Sequence, residues 1–205
     1  NSSVLKRLLA DGSAYDGTLP GTGTAITSVN GNELRVVNDG NAGHIIVAAA
    51  TTTGFTLARY SAVNGANSGA QVTISAGGSS TSHIARLYVD SQERIVLVGY
   101  ETTSNNVVVV RLNSSFALDS TFGTNGVFSA TVGSINKIWD GAVYADNRIY
   151  AIGSDGIDPF MARVFGDTYV TELAQASSIG VAGTLDTTYH APTGSFNIGT
   201  LNGIL

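Results

Sequence analysis

Cysteine is absent from the 205 residues, tryptophan and methionine occur once each, proline three times, and charged residues make up only 12%. Without cysteine there are no disulfides, thiol nucleophiles or thiolate metal sites, although this leaves the compartment open. The ten basic residues are spread along a chain of net charge −5. No basic cluster neutralises phosphates, so nucleic acid is not an expected partner. No apolar run approaches the ~18 residues of a membrane helix, so membrane insertion is not expected. The chain starts at Asn1 with neither Met nor a signal peptide, as a processed or excised piece would.

What is present is apolar and turn-rich. Apolar residues reach 43% and glycine 25 positions, too apolar and too weakly charged for a disordered chain. Many β-branched residues beside Gly, Asn, Asp and Ser indicate strands joined by tight turns. A period organises them. VLKRLL (4–9), FTLARY (55–60), VVVVRL (107–112) and PFMARV (159–164) each place an arginine in an apolar strand, and Arg7, Arg59, Arg111 and Arg163 are each 52 residues from the last. Ahead of this strand come IIVAAA (45–50), IVLVGY (95–100) and IYAIGS (149–154), apolar throughout as in a strand covered on both faces. Ahead of those come LRVVND (34–39), IARLYVD (84–90) and IWDGAVYAD (138–146), ending at Asp39, Asp90 and Asp146 and followed by polar hairpin turns. A fourth element, GTAITS (23–28), AQVTIS (70–75) or NGVFSAT (125–131), follows the arginine strand. Four strands in about 40–50 residues is the size of a propeller blade, larger than a β-helix rung and unlike helical repeats.

FTLARY, RIVLVGYE and LDSTFGTNGVFSAT resemble the bacterial delta-60 repeat, in which an Asp-Gly-Lys turn, a valine-rich strand ending in Gly and a strand ending Ala-Arg precede Leu-Asp-x-x-Phe-Gly. The resemblance extends best over 84–166, partly over 1–75 and least over the last 40 residues. It implies a β-propeller-like array in exported or surface proteins of bacteria, and no general chemistry. The chain departs from the repeat where His44, Arg94 or Arg148 replaces the turn lysine, and where the second unit lacks its Leu-Asp turn.

The fold expected is all-β: three complete blades (34–83, 84–137 and 138–175) plus a fourth shared by a half-blade at 1–33 and a closing segment at 176–205. GVAGT (180–184) and SFNIGTL (195–201) would supply the closing strands, and TELAQASSIG (171–180) a short helix. Joining first and last strands removes open sheet edges.

The repeated arginines read as structural, each held by a carboxylate or by strand-end carbonyls; the sharper reading is a ring of positive charge around a ligand. Asp16, Asp119 and Asp186 read as turn formers with calcium as the alternative, and Asp155 and Asp158 as loop filling, because the regular calcium-loop series is missing. His44, His83 and His190 share no spacing, so no metal trio is expected. Trp139 is either a core residue or, facing a channel, a platform for a sugar. Glu101, Asp140 and Glu172 break the repeat and are the candidate acids of a glycan hydrolase or lyase, which needs two within about 5–10 Å.

The expectation is therefore a non-catalytic binding or assembly module, extracellular or on the cell surface, bacterial or phage-associated, without cofactor, taking a protein or glycan partner. Its alternatives are an extracellular fibre or particle subunit that self-associates through half-blades, and the glycan enzyme.

Overall fold

The computed structural model describes residues 3–6, 8–14, 24–27, 33–38, 43–75, 81–132, 137–145, 147–167, 169–170, 179–180 and 182–185. Every regular element among them is a β-strand, and no described helix is long and apolar enough to cross a membrane. β1 (Ser3–Lys6) pairs antiparallel with β2 (Thr24–Thr27). β3 (Glu33–Asn38), β4 (His44–Thr51), β5 (Gly54–Ser61) and β6 (Asn67–Ser75) form a four-stranded antiparallel meander. β7 (Ser82–Val89), β8 (Ile95–Glu101), β9 (Asn106–Leu112) and β10 (Val127–Thr131) form a second. β11 (Lys137–Val143), β12 (Ile149–Ser154) and β13 (Pro159–Val164) form a third sheet of three strands. β14 (Tyr169–Val170) and β15 (Ile179–Gly180) make a short pair.

Apolar runs become strands buried on both sides. All seven residues of β8 are buried, as are six of the seven in β9. Side chains alternate across a strand, and so each sheet feeds two cores. Ile46, Ala48, Phe55 and Leu57 of the first sheet meet Leu97, Val108 and Val110 of the second. Val96, Val98, Val107 and Val109, from the second sheet's other face, meet Ile138, Ile149, Ala151 and Val164 of the third. Val47, Ala49, Ala58 and Tyr60 form a third cluster on the first sheet's remaining face. Sheets thus stack face to face along the chain. Among strands of different sheets, the most extensive contacts are those of β7 with β3 and β11, which places the first strand of each unit on the inside of the array.

The glycine that ends the valine-rich strand has a geometric cause. Gly99 pairs with Ile84 and Gly153 with Ile138, at the places where each ladder slips by one residue. A Cβ on Gly99 would collide with the His83 carbonyl, and one on Gly153 with the Lys137 carbonyl. Ala49 occupies this place in the first sheet, and the ladder there runs without a slip.

The last unit corrects an expectation. Residues 180–184 do not open a fourth sheet. Gly180 pairs with Tyr169, Leu185 bridges Val164, and the Phe165 amide donates to the Thr184 carbonyl. That bridge repeats Leu112 with Leu118. Extra chain is therefore inserted between the arginine strand and its Leu-Asp turn. Of the segment expected as a helix (171–180), Ile179 and Gly180 instead form strand β15, because they pair with Val170 and Tyr169. Residues 171–178 and the closing strand expected at 195–201 lie outside the described residues.

Candidate functional site

Two groups of polar side chains join the sheets, and a third lines a cleft. The first lies on the inner strands. Glu33 of β3 takes the His83 Nδ1 at 2.8 Å and accepts the Ile84 amide at 2.8 Å, while His83 stacks on Tyr100 with ring centroids 4.7 Å apart. Arg35 Nε donates to the Ala85 carbonyl. Arg86 of β7 clasps Asp140 of β11 through two bonds, Nε to Oδ1 at 2.7 Å and Nη2 to Oδ2 at 2.6 Å. The Gly141 amide donates to the same carboxylate. Burial raises the Asp140 pKa, but Arg86 and the Gly141 amide outweigh it and hold the carboxyl below its usual range. Trp139, at the slip in β11, is 50% exposed.

The second group surrounds the repeated arginine. Arg111 of β9 is 1% exposed. Its Nε donates to Asp119 Oδ2 at 2.9 Å, its Nη2 to Thr121 Oγ1 at 3.1 Å, and its Nη1 to the Gly166 carbonyl and to Asp167. The guanidinium lies over Phe122, 4.6 Å from the ring centroid. Asp119 also accepts the Thr121 amide and hydroxyl. The motif LDSTFG is now physically legible. Leu118 bridges Leu112, Asp119 ties the turn to Arg111, fully buried Phe122 fills the space between sheets, and Gly123 adopts φ +53°. Asp167, from the segment that follows β13, also takes Arg94 through two bonds and the Asn147 side-chain amide. Arg94 is further held by Asp90, its i−4 neighbour. Burial and the neighbouring Arg94 pull the Arg111 pKa down, against Asp119 and Asp167. For Asp167 burial acts upwards, and Arg94, Asn147 and Arg111 keep the carboxyl below its ordinary range.

The third group lines a cleft of about 450 Å³ formed by Ser75, Glu101, Ser104, Asn106, Thr124, Val127 and Ser129. Glu101 is 2% exposed. Its Oε2 accepts Ser104 Oγ at 2.7 Å, whereas Oε1 has no partner among the protein groups.

Sequence-selected residues thus scatter. Arg59 lies 5.4 Å from the Phe116 ring centroid, and Arg163 sits opposite Tyr150 in β13. Asp140 and Trp139 occupy an inner strand, Glu101 the end of β8. Asp155 accepts the Ile157 and Asp158 amides, closing a hairpin turn. No group of three or more His, Asp or Glu among the described residues is placed to hold a metal. Arg7, Asp16, Asp186, His190 and Glu172 lie outside the described residues. The turn aspartates are not equivalent. Tyr144 stands where Asp90 does, its amide donating to the Arg148 carbonyl as that of Asp90 does to the Arg94 carbonyl, and Asp39 and Asp146 lie outside the described residues. Sequence reasoning missed Asp167, which lies four residues beyond Arg163, where the other units have Ser115 and Val63; only the packing of sheets brings it to Arg94 and Arg111.

Stacked four-stranded meanders held inner strand to inner strand define an all-β, β-propeller-like repeat protein. In agreement, residues 94–122 match a family described as a domain of unknown function (DUF5122) beta-propeller. That segment runs from Arg94 through the arginine strand to Phe122 and holds most of the second polar group. No curated protein and no solved structure matches the chain.

Proposed function

We infer that the protein is a non-catalytic binding module whose contact surface runs along the inner strands. One observation carries this reading: Trp139 stands half-exposed beside a carboxylate, Asp140, whose two oxygens are already bound by Arg86. An exposed indole offers a flat apolar face to a sugar ring or a partner side chain. A glycosidic general acid needs a raised pKa, and Asp140 is shifted the other way. Glu101, a second candidate acid, bonds Ser104 in a different cleft. The delta-60 reading belongs to the same proposal. It rests on the Ala-Arg strand endings and the LDSTFG turn, and carries with it export to the surface of a bacterium or phage particle.

Trp139 is the only tryptophan, so intrinsic fluorescence reports on this surface directly. Titration with chito-, xylo- and malto-oligosaccharides is expected to quench or shift its emission, with binding lost in Trp139→Ala and no reducing ends released. Release of reducing ends that stops in Asp140→Asn would establish the enzyme reading instead.

A second reading has its own observation. Among the described residues β1 pairs with β2 alone, and a two-stranded ribbon is marginal by itself. Pairing of an edge of this ribbon with another copy would make the protein an assembly subunit. Light scattering separates the two: a mass near 21.0 kDa at all concentrations supports the module, and growing species support assembly.

A further inference from the structure

We propose that the Glu101 cleft is a second ligand site, separate from the Trp139 surface, and that it binds a sugar carrying a free, protonated amine. Glu101 has counterparts by position: Thr51, opposite Gly54 in the first sheet, and Asp155, the residue that follows β12 in the third. In all three the side-chain oxygen ties the following turn. Thr51 donates to the Gly54 carbonyl, Asp155 accepts two turn amides, and Glu101 accepts the Ser104 hydroxyl. The turn therefore accounts for one oxygen of Glu101. It does not account for a carboxylate here, nor for its burial. The other oxygen is orphaned, and so is the Oγ of fully buried Ser82, its cross-strand partner.

A buried carboxylate needs donors and an opposite charge. Among the described residues, the cleft lining has no Arg, Lys or His to supply either. It has the hydroxyls of Ser75, Ser104, Thr124 and Ser129 and the amide of Asn106, groups that both donate and accept. Asn106 is held in place by Ser129 and Thr131. A ligand matching this lining brings an ammonium to Glu101 and hydroxyls to the rest, and Val127 offers a methyl face to the C–H side of a ring. The volume lies in the range of small-molecule sites, about 300–1,000 Å³. A calcium ion takes six to eight oxygens, usually from several carboxylates, and Glu101 is the only one among the described residues that line the cleft.

The test is calorimetric titration of the intact chain with D-glucosamine, D-glucose, N-acetylglucosamine, lysine and calcium chloride at neutral pH. Saturable glucosamine binding is expected, at least tenfold tighter than glucose, N-acetylglucosamine or lysine. Glu101→Gln should lose at least tenfold. Ser129→Tyr, which fills the cleft from an exposed position, should abolish binding without touching a buried group, and so serves if the Glu101 variant fails to fold. Trp139→Ala should bind glucosamine normally, so loss of the inner-strand reading leaves this one intact. Equal binding of glucose, preference for lysine or calcium, no glucosamine binding, or binding unchanged in either cleft variant would each overturn it.

Discussion

Arg111 shows how a repeated residue works at the scale of a single side chain. Its guanidinium is nearly sealed from water, and its partners come from its own turn (Asp119, Thr121) and from the next sheet (Gly166, Asp167). Arg59, one period earlier, lies over Phe116 of the sheet that follows it. In both cases the arginine of one unit reaches the segment after the arginine strand of the next. Removing Arg111 would leave Asp119 and the Gly166 carbonyl short of donors in a buried setting. Arg111→Ala is therefore expected to lose about 3–5 kcal/mol in urea unfolding; a loss under about 1 kcal/mol would show that the pairing only offsets its own desolvation. Asp167→Asn, at a residue still a third exposed, should lose less, because the amide keeps the shape and one acceptor. The periodic arginine was legible in the sequence because selection for one position repeats at one spacing. Asp167 was not, because it has no counterpart in the other units and acts only through the packing of two sheets.

Strands were the most legible level. The expected second strands 45–50, 95–100 and 149–154 are observed at His44–Thr51, Ile95–Glu101 and Ile149–Ser154. Burial on both faces leaves an uninterrupted apolar run, and such a run has little freedom of register. The slips opposite Gly99 and Gly153 were not legible, since a glycine in a strand permits close approach without saying from where. The structure supplies the direction, a backbone carbonyl on the neighbouring inner strand. Gly99→Ala must push that strand away or flatten the slip. It is expected to cost about 1–3 kcal/mol and to lower the melting temperature. Unchanged thermal stability in Gly99→Ala would mean that the slip tolerates a methyl group and that the repeated glycine has another cause. The end of the third unit was misread for a different reason: inserted chain shifts every later residue out of phase, so that 180–184 fell where a new strand was due.

For the molecule as a whole, the polar joints between sheets share a sensitivity to acid. Glu33, Asp140 and Asp167 each bond a neighbouring sheet, and Asp119 anchors the arginine that does. Burial raises all four pKa values, and hydrogen bonds and cations bring each below the ordinary carboxyl range. A depressed folded pKa adds stability above the unfolded value of about 4, and this is lost as pH falls through the folded value. Unfolding free energy should therefore drop below about pH 4, and Asp140→Asn should blunt the drop; equal stability at pH 3 and pH 6 would contradict it. The detour before Leu185 carries a different consequence, for engineering. Twenty residues, 165–184, separate the bridged Val164 and Leu185, against five, 113–117, between Leu112 and Leu118, and both bridges form. Stretching a connection from five to twenty residues costs only about 1.2 kcal/mol of closure entropy. The exposed Ser114–Ser115 step is thus a port for foreign sequence. An epitope of some fifteen residues spliced there would be displayed on the second blade while Leu118 still finds Leu112 and the Asp119–Arg111 joint still closes.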